Sequence, residues 1–128
     1  MTARKLLPRE VARAYKQVEI AGFAKTDLLV TIYSTIVTQF RRAALAIENN
    51  NISARGEAVS NALELIGELR QSLDFHKAPE LAMNLEQFYL TATQTVLKAH
   101  RQAARDSFME LAHEFSAVSK AFEESLNS

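Results

Sequence analysis

Four long stretches of this chain repeat apolar side chains at helical spacing, with only short breaks between them. Residues 26–49 carry Leu29, Tyr33, Ile36, Phe40, Ala43 and Ile47. Residues 53–75 carry Val59, Ala62, Leu63, Ile66, Leu69 and Leu73. Residues 79–102 carry Leu81, Leu85, Phe88, Ala92, Val96 and Ala99, and residues 106–126 carry Phe108, Leu111, Phe115, Val118, Phe122 and Leu126. Steps of three and four place each set on one face of a helix. A shorter segment, 9–21, precedes them. Gly occurs three times and Pro twice, and β-branched residues do not alternate with polar ones, so strands have no support. Long helices with short connections must lie antiparallel. The expected fold is all-α: an antiparallel up-down four-helix bundle with a short additional N-terminal helix. It forms one domain over 1–128, with 1–25 a mobile N-terminal arm and 26–126 the bundle.

The breaks carry their own signals. "IAGFAKTD" at 20–27 offers Gly22 and then Thr26 as a cap. "ENNNIS" at 48–53 reads as a turn, because Asn accepts left-handed backbone, and Ser53 is the expected cap of the next helix. "DFHKAPE" at 74–80 puts Pro79 where a first helical turn tolerates it. In "HRQAARDS" at 100–107 only Asp106 and Ser107 resemble caps. Gly67, inside "ELIGELRQSL", costs about 1 kcal/mol relative to Ala in a helix, and a close helix contact is the expected reason for it.

The totals narrow the function classes. A chain of 128 residues is one domain of ordinary size, and 48% apolar with 23% charged is near the globular average. Net charge is zero, which argues against a phosphate-binding role and so against a nucleic-acid partner. The charge is uneven: residues 1–25 hold six Lys/Arg against two Glu, and residues 106–128 hold one Lys against five Asp/Glu. The ends therefore attract weakly, and salt would screen that. With no cysteine, disulfides, thiolate metal sites and cysteine nucleophiles drop out, and a reducing cytosol fits. "MTARKLLPREVARAY" has no apolar core long enough for a signal peptide.

Catalytic and cofactor motifs fail one by one. Gly22, Gly56 and Gly67 stand apart, so no phosphate-cradling loop is present. A di-iron bundle needs two Glu-x-x-His pairs. This chain has one, Glu110 and His113, lying off the centre of its apolar stripe, while His76 and His100 have neutral residues three positions earlier. Three scattered His residues give no Ser/His/acid signature. Lys98, Arg101 and Arg105 are helically spaced but read as a solvated face. No enzyme activity, metal or cofactor is expected.

One helix is anomalous. "LLVTIYSTIVTQF", residues 28–40, has no charge at all, whereas a surface helix normally carries a charged face. A transmembrane helix needs about 20 apolar residues, and extension would bring in Arg41 and Arg42, so membrane insertion is not expected. Leu28, Val30, Ile32, Val37 and Ala44 exceed what one helix seam needs. Thr31, Thr35 and Thr38 keep that surface wettable without charge. Tyr15, Tyr33 and Tyr89 sit among apolar residues, and a buried tyrosine usually finds a partner for its hydroxyl.

From Ala14 to Phe122 the chain resembles the FliS family, the flagellar secretion chaperones that bind flagellin. The family's Ala-Tyr pair is Ala14-Tyr15, and "DLLVTIY" runs through Leu28 and Leu29 to Ile32-Tyr33 without a gap. Its Ile-Ile-x-x-Leu-Arg-x-x-Leu-Asp pattern appears as Leu65, Ile66, Leu69, Arg70, Leu73 and Asp74. "ELAMNLEQFYLTATQTVLKAH" matches best, with Leu81, Ala82, Asn84 and Leu85, then Phe88-Tyr89, then Leu97, Ala99 and His100. The chain departs at Phe23-Ala24-Lys25, where the family has Ala-Ser-Pro. It also lacks aromatics near Thr91 and Ala92, and has Phe122 for a late Trp.

The resemblance implies a non-enzymatic chaperone of the bacterial cytosol. Such a protein holds the disordered C-terminal segment of flagellin, blocks premature polymerisation, and delivers the subunit to the flagellar type III export apparatus. It leaves room for contacts with export-gate components. The partner-binding residues it suggests are Tyr15, Val18, Leu28, Leu29, Ile32, Tyr33, Ile36 and Val37. Each large apolar contact gains about 1.5–3 kcal/mol, and ordering a client costs roughly 2–5 kcal/mol, so tight binding needs a long wrapped segment. Val11, Tyr15 and Val18 repeat at about one turn, so 9–21 could cover the groove as a lid hinged at Gly22. The reading from another class is a helical-bundle adaptor or homodimerising interaction protein.

Overall fold

The computed structural model of the chain describes residues 26–126, apart from Asp74, Lys77 and Ala78. The segment 9–21, with its expected helix and lid, lies outside the described residues. Four helices are present: α1 (Thr26–Glu48), α2 (Ile52–Gln71), α3 (Pro79–Gln102) and α4 (Arg105–Leu126). No strand occurs among the described residues. α2 stops short of the expected end at 75. The Ser72 hydroxyl donates to the Leu69 carbonyl at 2.7 Å, and the Leu73 N–H reaches back only to Arg70, at 3.2 Å. Serine competes for helix carbonyls in this way, and the tightened last turn releases Phe75 and His76 into a turn.

Two of the breaks share one backbone device. After α1, the Asn51 N–H reaches the Ala46 carbonyl at 2.8 Å and the Asn50 N–H reaches Ile47 at 3.1 Å, with Asn50 at φ 53°. That is a left-handed Schellman ending. Asn51 then caps α2, its side-chain oxygen accepting from the Ala54 N–H at 3.0 Å. Ser53, the cap expected from sequence, is already inside the first turn, because Asn51 reaches the free N–H groups first. After α3 the same pattern recurs on alanines. The Ala104 N–H bonds to Ala99 at 2.9 Å and the Ala103 N–H to His100 at 3.3 Å, with Ala103 at φ 49°. The Ala104 carbonyl then accepts from Ser107 and Phe108, so α4 begins ahead of Asp106 and Ser107.

α1 packs against both α4 and α2, α2 packs against α3, and α3 packs against α4. α1 and α4 are antiparallel: Ser34 meets Ser119 hydroxyl to hydroxyl at 3.2 Å, and fourteen residues on in α1 Glu48 meets Arg105, fourteen back in α4. The α1–α4 contact is the most extensive. Both helices carry small buried residues, Ala43 and Ala44 on α1 and Ala112 and Ser119 on α4, which suit a close approach. Arg105, at the surface, bonds Glu48 and then Asp106, and both bonds raise its guanidinium pKa. The core joins all four helices around Phe115. Its ring lies 5.4 Å from Tyr33, 5.3 Å edge-on from Phe40 and 5.5 Å from Phe88. Gly67 does not mark a close contact, as nothing lies within 4 Å of where its Cβ would stand.

Candidate binding surface

The uncharged run occupies the first two-thirds of α1, and the structure divides its faces. Leu29, Tyr33, Ile36 and Phe40 enter the core as their spacing requires. Val37 and Ala44 are buried too, in the same cluster. They are not surplus surface, because α1 lies in two seams and so buries a wider arc than one seam would. Val30 and Ile32 are half-buried against the core. Leu28, 54% exposed, is the large apolar side chain of the run that stays on the outside.

The outward face is built from Thr31, Ser34, Thr35 and Thr38. The Thr35 hydroxyl donates to the Thr31 carbonyl at 2.9 Å and the Thr38 hydroxyl to Ser34 at 3.2 Å. Thr35 and Thr38 thus turn their donors into their own helix. What remains outside is a surface without charge or strong unmet donors. A shallow groove runs along this face from Val30 to Arg42. It shares Gln39 and Arg42 with a second hollow between α1 and α2, floored by Ala46, Ala58 and Asn61 and bordered by Asn49 and Glu57.

Of the eight sequence-derived partner-binding residues, Tyr15 and Val18 lie outside the described residues. Leu29, Tyr33, Ile36 and Val37 are in the core, Ile32 is half-buried, and Leu28 is exposed. Leu28 and Ile32 can touch a partner on the bundle as it stands. The buried four set the position of α1. Tyr33 and Tyr89, both 0% exposed, share a hydrogen bond between their hydroxyls at 2.9 Å. Their partner-seeking hydroxyls are therefore used inside the bundle. Sequence reasoning missed Gln39, a buried amide at the meeting of the two grooves, and Asn61, which donates to it at 3.4 Å. The available signal was one amide among the apolar positions of the run.

Glu110 and His113 both lie exposed on α4. Among the described residues no three His, Asp or Glu side chains gather closely enough to hold a metal ion. No described helix is long and apolar enough to cross a membrane.

Comparison with known proteins adds a family. The family model described as "Flagellar protein FliS" matches residues 8–128. The flagellar secretion chaperone FliS of Salmonella typhimurium strain LT2 is 26% identical over 117 residues, spanning 88% of this chain and 87% of the relative. That of Escherichia coli K12 is 26% identical over 119 residues, spanning 89% of this chain and 88% of the relative. With the match running from residue 8 through all four helices, the chain belongs to the FliS family of flagellar proteins.

Proposed function

We propose that the chain is a flagellar export chaperone of the bacterial cytosol. It holds the disordered C-terminal segment of flagellin, prevents premature polymerisation and delivers the subunit to the type III export apparatus, where export-gate components are further partners. The family match over residues 8–128, with relatives named flagellar secretion chaperones, carries this reading. The fold is an antiparallel up-down four-helix bundle with a short N-terminal helix, in line with the contacts of α1 with α4 and α2, and of α3 with both α2 and α4. Its role is binding and not catalysis. Client contacts centre on Leu28 and Ile32 and continue over the threonine face of α1. Leu29, Tyr33, Ile36 and Val37 support that face from beneath, and Tyr15 and Val18 belong to the arm that meets it.

Calorimetry with a peptide of the C-terminal segment of flagellin from the same organism tests the reading. Saturable binding is expected, and absence of heat with about 50 μM peptide, a concentration that fills any site tighter than 10 μM, would sink it. The arm is tested separately. Removing residues 1–20 raises client affinity or leaves it unchanged if the arm covers the groove. A truncated chain with full helical circular dichroism and lost affinity would reverse the lid assignment and make the arm part of the site.

A further inference from the structure

Two side-chain nitrogens are closed off from solvent with no hydrogen-bond partner among the described residues: Nε of Arg55 and Nδ1 of His100. They belong to the same end of the molecule. Glu48 and Arg105 join the end of α1 to the start of α4, so the turn after α1 and the turn before α4 lie together. Arg55 is in the first turn of α2, and His100 is in the last turn of α3. The register agrees. Arg70 meets Glu86 across the α2–α3 seam at 3.5 Å, and fifteen residues from each, towards this end, stand Arg55 and Arg101, the neighbour of His100. Arg55 lies one turn before Ala58 and Val59 on the buried stripe of α2, and His100 one turn after Val96 on that of α3. Both side chains thus close the core at this end. A buried polar atom without a partner is unfavourable, and more so on a charged group.

The chemistry of the pair selects a ligand. A guanidinium keeps its charge and only donates, so a cation is repelled and an apolar group leaves the donor unmet. Its Nε–H and one outer N–H form a planar fork that fits the two oxygens of a carboxylate. The His100 nitrogen donates a further bond when it carries a proton. A carboxylate also brings the single negative charge that one guanidinium balances. The acids at this end are placed otherwise. Glu48 and Asp106 are engaged by Arg105, and Glu57, exposed two residues along α2, does not face Arg55. Both side chains are half-buried, so part of each stays open to solvent and a ligand can enter. We propose that Arg55 and His100 form a receptor for a carboxylate brought from outside the bundle, by an acidic side chain of a partner or by a small free acid. The site lies at the opposite end of α1 from Leu28, and it is independent of which client the α1 face holds.

The test titrates the full chain, labelled with nitrogen-15, with sodium acetate at fixed pH, while sodium chloride is withdrawn to hold ionic strength. The Arg55 Nε–H and His100 backbone amide signals move together and saturate in the millimolar range. Arg55→Met weakens acetate by about tenfold or more, the scale of hydrogen bonds to a charged group. Arg55→Lys keeps the charge without the fork and weakens it several-fold. Without acetate the Tm of Arg55→Met equals or exceeds that of the parent, because an unmet buried donor is gone, and with acetate only the parent's Tm rises. Should Arg55→Met fail to fold, Arg55→Lys and His100→Gln, which also weakens acetate, carry the same test. A capped Ala-Ala-Glu-Ala-Ala peptide that binds more tightly than acetate assigns the carboxylate to a partner's side chain, and equal affinity assigns it to a small free acid. Signals stationary in acetate would overturn the proposal. Inorganic phosphate binding more tightly than acetate would overturn the choice of carboxylate. An Arg55 signal that moves on deleting residues 1–20 would give the site to an acid of the arm and overturn an outside ligand.

Discussion

The hydroxyl pair of Tyr33 and Tyr89 predicts an unusual order of mutant stabilities. Both side chains are fully buried, and their oxygens are 2.9 Å apart on helices α1 and α3, which otherwise make no close backbone contact. Tyr33→Phe removes one oxygen and leaves the Tyr89 hydroxyl inside an apolar core without its Tyr33 partner. A buried polar group stripped of its partner costs about 1–3 kcal/mol. Tyr33→Phe should therefore lower stability by about that amount, or lower Tm by roughly 3–5 °C per kcal/mol for a domain this size. Adding Tyr89→Phe then removes the stranded group. Replacing both partners by apolar groups of the same shape is nearly neutral, so the double variant should regain at least about 1 kcal/mol over the single one.

Urea unfolding followed by circular dichroism reads these differences, provided the m-value stays constant across the series. A double variant no more stable than Tyr33→Phe would refute the reasoning. It would mean that the Tyr89 hydroxyl gains nothing from Tyr33, or that the oxygens act by filling volume and not by bonding each other.

Three further substitutions follow from the backbone and the core. Gly67→Ala should stabilise by about 0.8–1 kcal/mol, since a helix interior favours Ala and open space surrounds the site; a lower urea midpoint would show a clash the structure does not contain. Ala103→Gly should stabilise by about 0.5–1 kcal/mol, the left-handed strain at φ 49° outweighing the entropy of Gly; equal midpoints for the variant and the parent would contradict that strain. Phe115→Ala should destabilise by about 3–5 kcal/mol, because its ring packs on Tyr33, Phe40 and Phe88 at once. Stability measured within about 1 kcal/mol of the parent would show that the core collapses freely around the gap.

The helices were legible because their apolar stripes repeat over five or six turns, and a stripe that long has one helical reading. Pro79 marked the start of α3 for the same local reason. The breaks were less legible where their chemistry was backbone chemistry. Ala103 and Ala104 carry a left-handed ending that no side chain announces. Asn51 and Ser53 are both good caps, and the choice between them depends on where the α1 ending leaves the chain. The site was harder for another reason. Val37 and Ala44 look like surplus on one helix and become core only when two neighbours are present. The Tyr33–Tyr89 bond joins residues 56 positions apart, and no local pattern contains it.

The absence of charge over 28–40 has two separable causes. Leu29, Tyr33, Ile36, Val37, Gln39 and Phe40 are buried, and a charge there would be costly to desolvate. Leu28, Thr31, Thr35 and Thr38 are exposed, and the fold makes no such demand on them. A surface substitution away from special features changes stability by no more than about 0.5 kcal/mol, and lysine or glutamate is a better helix former than threonine. Folding alone would thus favour charge at Thr31, Thr35 and Thr38. A partner that must lay apolar side chains along α1 reverses the preference, because every charge under it would have to lose water. Threonines whose hydroxyls are returned to their own helix leave methyl groups for such a partner while keeping the empty face wettable. The inward half of the run is therefore explained by packing between two neighbours, and the outward half is what the proposed client face requires.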